Sequence, residues 1–289
     1  MRRPDTLWLA FSACGLVACA AGPVASPGVD ERLATLPADA TVVVSLDAPA
    51  LVADVQVAAL MSSLGVPAGS LDGVPDGVDV ERVRLGCGSE GCVALLEGNF
   101  AGVGAALDAA VSRAPAEMDV ARVVGERAGL DAVGPGGEDV VFRVLSPEKA
   151  VFGDRVAVQA AWERGGTGGL DPAAIAARVP SSENWVLILD PAAFESFALA
   201  RAKAVSDASA SELAARFQSG RQRFPELAAA ESVGFGLAGS TARVRVTAPD
   251  EFGAIAVEAR ARATTLWRAV RIQRVGRVVD AEGSLGDIP

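Results

Sequence analysis

Short segments of this chain are either continuously apolar or alternate between apolar and polar residues, and both patterns predict β-strands. Residues 41–46 (TVVVSL) and 185–189 (WVLIL) are predicted to be buried strands. Two hairpins are predicted, 80–87 with 92–98 and 232–237 with 242–248, and a further β-rich piece comprises 139–145 and 150–152. The segment ARVRVTA alternates strictly, as expected for a sheet with one solvated face.

Apolar residues spaced three and four apart predict helices between these strands. Asp47 with Pro49, and Asp190 with Pro191, each provide an N-cap and an early-turn proline directly after a buried strand. One predicted helix is capped by Asp154 and reaches Trp162. The other four have these apolar residues: Ala53, Val57, Leu60, Met61 and Leu64; Phe100, Val103 and Leu107; Phe194, Phe197, Ala198 and Val205; and Phe252, Ile255 and Ala259.

The same order of elements occurs twice, which suggests an internal duplication; an accidental match of common elements is the alternative. Because each helix must bury its apolar stripe, the predicted fold is α+β, with two similar β-α-β-β-α lobes. Each lobe is expected to have a mainly antiparallel sheet packed by helices on one face. The predicted lobes are residues 36–169 and 170–289, with the glycine-rich segment 165–169 (GGTGG) as the hinge.

Composition excludes several classes of function. The chain has 289 residues, 51% of them hydrophobic, which is enough to bury a large core. Its net charge of -10 argues against a nucleic-acid partner, which needs clustered basic residues. Histidine and tyrosine are absent, so most hydrolase triads and transition-metal sites are disfavoured, and we predict no cofactor, no metal and no catalytic residue.

The N-terminus has the layout of a secretory signal peptide. Arg2 and Arg3 are followed by an apolar stretch, residues 7–18, that is too short to span a bilayer. Export is therefore the predicted fate of the chain. A signal peptide cut near Ala21 and an uncleaved anchor remain alternatives to the interpretation that follows.

Residues 16–19 (LVAC) resemble the lipobox of bacterial lipoproteins. The resemblance implies that residues 1–18 are removed, that Cys19 carries the lipid, and that 19–35 form the lipidated N-terminus and tether. Ala20 after the cysteine implies sorting to the outer membrane, facing the periplasm. Attachment would then depend on acyl chains. PADATVVVSLD in one half and WVLILDP in the other resemble predicted lipoproteins of myxobacteria and similar high-GC bacteria.

The remaining cysteines agree with an exported protein. Cys14 would leave with the leader and Cys19 would be consumed by lipid, which leaves Cys87 and Cys92 as one pair. An even remainder in an exported chain predicts a disulfide.

The segment GCGSEG, residues 86–91, matches the G-x-G-x-x-G pattern of dinucleotide-binding loops. Such a loop must open a helix, whereas the residues after Cys92 are predicted to form a returning strand. We therefore interpret the segment as a hairpin tip with Cys87 facing Cys92 across the strands.

Three other groups could carry chemistry. Ser146 and Lys149 have the S-x-x-K spacing of a lysine-activated serine, although the proline between them favours a turn. Asp47 and Asp190 could form a carboxylate pair, although helix capping explains both. An arginine run could bind anionic headgroups or peptidoglycan, although a solvated face is the simpler interpretation: Arg260, Arg262, Arg268, Arg271, Arg274 and Arg277.

These observations favour a non-enzymatic, lipid-anchored binding or interaction module of the cell envelope. Its partners would be the membrane, through acyl chains on Cys19, and an envelope protein or peptidoglycan. The first alternative is a periplasmic binding protein for a small amphiphile, held in a cleft between the lobes. The second is a hydrolase that uses Ser146 and Lys149.

Overall fold

Twelve strands make up one antiparallel sheet in the part of the chain that the computed structural model describes, residues 31–47, 79–114, 116, 119–124, 128–133, 139–164, 168–182, 184–205, 207–238, 241–263 and 269–284. The strands are β1 Val42–Asp47, β2 Asp79–Gly88, β3 Gly91–Asn99, β4 Asp119–Val123, β5 Gly129–Val133, β6 Asp139–Ser146, β7 Lys149–Asp154, β8 Asn184–Ile188, β9 Ser232–Ala238, β10 Thr241–Thr247, β11 Ala269–Val275 and β12 Val278–Ser284. A 3-10 helix, Glu31–Thr35, precedes them.

Seven α-helices lie between the strands of this described part. They are α1 Val103–Arg113, α2 Arg155–Arg164, α3 Pro172–Ala176, α4 Pro191–Val205, α5 Asp207–Arg223, α6 Pro225–Ala228 and α7 Glu251–Ala263. None of those helices is both long and apolar enough to cross a membrane.

The predicted pair of separate α+β lobes is wrong, because the sheet is continuous across their boundary. Its strand order is β11-β12-β10-β9-β8-β1-β2-β3-β7-β6-β5-β4. The first strand of each predicted lobe pairs with the other at the centre, with Val43 opposite Leu187 and Val44 opposite Val186. We call this pairing of β1 with β8 the seam. Because main-chain hydrogen bonds join the two strands, the seam is not a hinge between two sheets.

The internal repetition is visible in the strand order. Moving outwards from the seam, one side reads β1, β2, β3, β7, β6 and the other reads β8, β9, β10, β12, β11. Each side therefore has a central strand, a hairpin and a second hairpin added at its outer edge. Among the strands of the described residues, β5 and β4 extend the first side only, so the two sides differ in their number of strands.

Helices cover both faces of the sheet, not one. Side chains alternate between the faces of a strand, and alternate residues of β1 belong to different cores. Val43 packs with Leu33 and with residues of α2 and α3, whereas Val42 and Val44 pack with Phe194 of α4. Helices α1 and α7 pack on the same face as α4, because the buried residues beneath them are in register with Val44 and Val186.

The prediction that Asp190 caps a helix beginning at Pro191 is confirmed for α4. Asp190 Oδ1 accepts hydrogen bonds from the backbone N–H groups of Ala192 and Ala193, at 3.0 and 2.9 Å. Asp171 caps α3 in the same way, and Pro172 occupies its first turn. A carboxylate at this position satisfies backbone donors that have no partner within the helix.

The prediction of which side of α7 is buried is wrong. The buried residues of this helix are Ala254 and Val257, whereas Phe252 and Ile255 are exposed. The helix has apolar residues on two opposite sides, so spacing alone did not distinguish them. Contact with β10, β11 and β12 buries the side with the smaller side chains.

The folded body begins before the predicted boundary at residue 36. Glu31–Thr35, assigned to a tether by the sequence, forms the 3-10 helix, and its Leu33 is fully buried. At the predicted hinge, Gly169 lies so close to the carbonyl oxygens of Ala34 and Leu36 that no side chain would fit. The first predicted helix, with Ala53 and Leu64, lies outside the described residues, as does most of the predicted hinge.

Candidate functional site

The predicted disulfide between Cys87 and Cys92 is confirmed. The two cysteines are directly opposite in the β2–β3 hairpin, with their Cα atoms 4.0 Å apart and the sulfur atoms bonded at 2.08 Å. Both are buried, and they lie on the same face of the sheet as Val42 and Val44. The disulfide closes the hairpin close to the centre of the sheet.

Two carboxylates from elsewhere in the chain hold the tip of this hairpin. Asp39 accepts hydrogen bonds from the backbone N–H, at 3.0 Å, and the hydroxyl of Ser89. Asp154 Oδ2 accepts one from the backbone N–H of Cys92 at 2.6 Å. Gly88 and Gly91 allow this approach, because a Cβ at either position would collide with these carboxylates. The segment is a hairpin tip, as predicted. The backbone N–H groups of Ser89 and Cys92, which could otherwise donate to a phosphate, donate to Asp39 and Asp154.

The N-terminal segment lies against the same hairpin, on the opposite face of the sheet. Leu33 and Leu36 are buried in the core beside Val43 and Val93. Gly86 makes room for this segment, since a Cβ there would contact Leu36 at 3.0 Å. The chain is therefore fixed to the sheet before β1 begins.

A buried ion pair lies where this segment crosses the sheet. Arg84 of β2 is completely buried, and its Nη1 donates to Glu97 Oε2 at 2.6 Å. The other oxygen of Glu97 accepts from Arg32 of the 3-10 helix, whose side chain is half exposed. One carboxylate thus joins the N-terminal segment to two central strands. A buried charge persists only with such a partner.

We call residues 31–41 together with Arg84, Glu97 and the Cys87–Cys92 hairpin tip the N-terminal attachment region. A disulfide, an ion-pair network and two carboxylate–amide contacts meet in this region. Its groups hold polypeptide in place, and none is a nucleophile beside a base. Among the described residues, no group of His, Cys, Asp and Glu is arranged to hold a metal ion.

The predicted turn at Ser146 and Lys149 is confirmed. These residues end β6 and begin β7, and they are opposite each other across the turn formed by Pro147 and Glu148. Ser146 Oγ accepts a hydrogen bond from the backbone N–H of Glu148 at 3.2 Å. The hydroxyl stabilises a hairpin turn and is not on the helix that a lysine-activated serine requires.

Asp47 and Asp190 do not form a carboxylate pair. Strands β1 and β8 are antiparallel, so their C-terminal ends point in opposite directions. The backbone N–H of Asp47 donates to Asn184 at the start of β8, whereas the residue before Asp190 donates to Thr41 at the start of β1. At 3.3 Å per residue, the two aspartates are about 20 Å apart.

Most of the predicted arginine run is paired with glutamates. Arg262 and Arg274 both contact Glu258, and the hydrogen bonds they donate, together with their positive charges, lower the pKa of that carboxyl. Arg260 pairs with Glu226 and Arg277 with Glu231. Arg271 donates to Gln273, and Arg268 lies outside the described residues. The run is a solvated surface on which four arginines are held in ion pairs, and this does not favour an anion site.

A second charged cluster lies at the start of α2. Burial raises the pKa of Asp131, but hydrogen bonds and charge from Arg143 and Arg155 outweigh it, and the pKa is lowered overall. Arg155 also donates to Asp139 at 2.6 Å, which raises the pKa of the guanidinium. These groups connect β5 and β6 to the helix, and their charges are mutually satisfied.

Sequence reasoning missed Arg32 and Arg84 and did not connect either of them with Glu97. The alternation in VERVRLG places Arg84 on the face opposite Val83 and Leu85. This pattern indicates a polar face, but it does not reveal that the N-terminal segment covers that face. Cys19, the predicted lipidation site, lies outside the described residues.

These features define the class of protein to which the described chain belongs: an antiparallel single-sheet protein with helices on both faces and a disulfide-closed central hairpin. No family model matches the chain, and no curated protein matches it. Two crystal structures of TP0453 are similar in fold. Form IV has a TM-score of 0.50 and 10% identity over 91% of this chain and 94% of that chain. Form I has a TM-score of 0.50 and 9% identity over 89% and 92%.

Removing the disulfide is expected to lower the free energy of unfolding by about 2 kcal/mol, because the bond closes only a short loop in the unfolded chain. Urea denaturation of Cys87→Ala/Cys92→Ala, followed by circular dichroism, measures this change. Reductant should lower the midpoint of the unchanged protein and leave that of the double variant unaltered. Equal midpoints for the unchanged protein and the double variant, both measured without reductant, would show that the disulfide adds no stability.

Proposed function

We propose that this protein is a non-enzymatic module of the bacterial cell envelope, anchored by lipid on Cys19. The observation that carries the proposal is the leader followed by LVAC at residues 16–19. The folded body would present its surfaces to another envelope component, either a protein or peptidoglycan. Its membrane would be the outer membrane, with the body on the periplasmic side.

The geometry of the attachment region supports this proposal. Eleven residues, 20–30, separate Cys19 from Glu31, where the described fold begins. Even fully extended, they would span no more than about 40 Å, so the folded body would stay close to the lipid surface. Any pull on the tether would act first on the 3-10 helix, which Leu33 and the Arg32–Glu97 ion pair hold to the sheet.

The alternative of an amphiphile-binding protein loses its structural basis. It required a cleft between two separate lobes, but β1 and β8 pair directly at that position. The hydrolase alternative is also disfavoured, because Ser146 and Lys149 belong to a hairpin turn. We therefore retain the envelope module as the single proposed function.

Acyl labelling tests the anchor. The full-length chain is expressed in a diderm bacterium with an alkyne-bearing fatty acid, and the purified protein is examined for label and for the mass of its N-terminal peptide. We expect label on the unchanged protein and a mature chain that begins at acylated Cys19. Cys19→Ala should lose the label, since no sulfur remains to receive the lipid.

Cys14→Ala is the matched control, because it removes a cysteine five positions earlier that should leave with the leader. It should be labelled and processed like the unchanged protein. Fractionation alone is not a sufficient test, as an uncleaved leader can also retain Cys19→Ala in a membrane. An unmodified Cys19 in the mature chain, or undiminished label on Cys19→Ala, would refute the proposal.

A further inference from the structure

Helix α7 has an apolar stripe on the side that faces away from the sheet. Phe252 is 84% exposed and Ile255 is 49% exposed, although both are large apolar residues. Ala256, Ala259 and Ala263 are also exposed and continue the stripe along the helix. At 100° per residue, these five residues fall on one side, opposite the buried Ala254 and Val257.

The distribution of size along this stripe is uneven. The bulky Phe252 and Ile255 are in the N-terminal half, whereas the C-terminal half has only alanines. If two such helices packed in parallel, phenylalanine would meet phenylalanine and a gap would remain between the alanines. In an antiparallel pair, Phe252 of each helix would meet the alanines of the other, which allows close approach.

Charge at the edge of the stripe favours the same arrangement. Glu251 and Arg262 flank the stripe on the same side, near opposite ends of the helix, and Arg262 is 58% exposed even while it pairs with Glu258 of its own helix. A twofold axis perpendicular to the helices would place Glu251 of each copy beside Arg262 of the other. Such an interface is isologous, because each contact occurs twice.

We infer that this stripe of α7 is an interaction surface for a second copy of the same chain, packed antiparallel about a twofold axis. A lipid surface fits the stripe less well, because three of its five residues are alanines, which bury little apolar area. One helix pair is smaller than a standard protein interface, so we expect the dimer to be weak and reversible. The inference does not depend on the proposed lipid anchor.

Charge reversal tests the pairing directly. Two full-length copies with different tags are expressed in the same cells, and capture of one copy is measured by recovery of the other. We expect Glu251→Arg in both copies, or Arg262→Glu in both copies, to reduce co-capture about tenfold through repulsion of like charges. A mixture of one Glu251→Arg copy with one Arg262→Glu copy should restore it, because both contacts then become attractive.

Controls separate pairing from misfolding. Asp207→Arg reverses an exposed charge in the first turn of α5 and should leave co-capture unchanged. Phe252→Asp should reduce co-capture as strongly as the single charge reversals. The inference is overturned if the mixed pair is captured no better than either single variant. It is also overturned if Phe252→Asp leaves co-capture intact and instead weakens binding to phospholipid vesicles.

Discussion

Glu97→Leu is expected to lower the free energy of unfolding by about 3–5 kcal/mol, because the buried Arg84 would lose the Glu97 carboxylate that accepts its hydrogen bond. Arg84 is completely buried, and Glu97 accepts from it at 2.6 Å. Water cannot solvate the guanidinium in that position. Urea denaturation of the full chain, monitored by circular dichroism, gives the change in stability.

The double variant Arg84→Met/Glu97→Leu distinguishes this cause from loss of packing. Removal of both charges should recover most of the lost stability, since no uncompensated charge remains in the interior. Glu212→Leu breaks an exposed pair with Arg216 and should cost less than about 1 kcal/mol. If the double variant were as unstable as Glu97→Leu, the buried charge would not be the source of the effect.

Leu33→Ala is expected to lower the free energy of unfolding by about 2–5 kcal/mol, through lost burial and the cavity that remains. Leu33 is fully buried against the central strands, although the sequence assigned it to a tether. The same denaturation experiment measures the effect. A large loss would establish that residues 31–35 belong to the folded body.

Val124→Ala provides the comparison, because Val124 is 83% exposed and also loses side-chain carbon atoms on substitution. We expect it to change stability by less than about 0.5 kcal/mol. If Leu33→Ala were equally mild, the 3-10 helix would not be part of the core. The attachment region would then begin at residue 36 or later.

Local features of the fold could be predicted from the sequence. The Cys87–Cys92 hairpin is an example, since glycines, cysteines and both strands lie within about twenty residues. The Asp190-Pro191 start of α4 is another, because a cap depends on residues next to each other. In both cases, the interacting groups are brought together by a turn of the chain.

Neither the side of α7 that is buried nor the burial of Arg84 could be predicted in this way. Either side of α7 fits a helical apolar pattern, and the choice depends on which side meets β10–β12. Arg84 lies on the polar side of an alternating strand, yet it is completely buried and pairs with Glu97, which also binds Arg32 of the N-terminal segment. Both outcomes depend on contacts between distant parts of the chain.

The sequence by itself determined the identity of the central strands, the turns, the helix cap at Asp190 and the disulfide pair, because each depends on side chains close together along the chain. The tertiary structure alone decided that the two halves share one sheet. Val44 and Val186 are 142 positions apart, and the backbone hydrogen bonds that join their strands are available to any strand. Which strands pair at such a distance follows from how all the apolar faces are buried together.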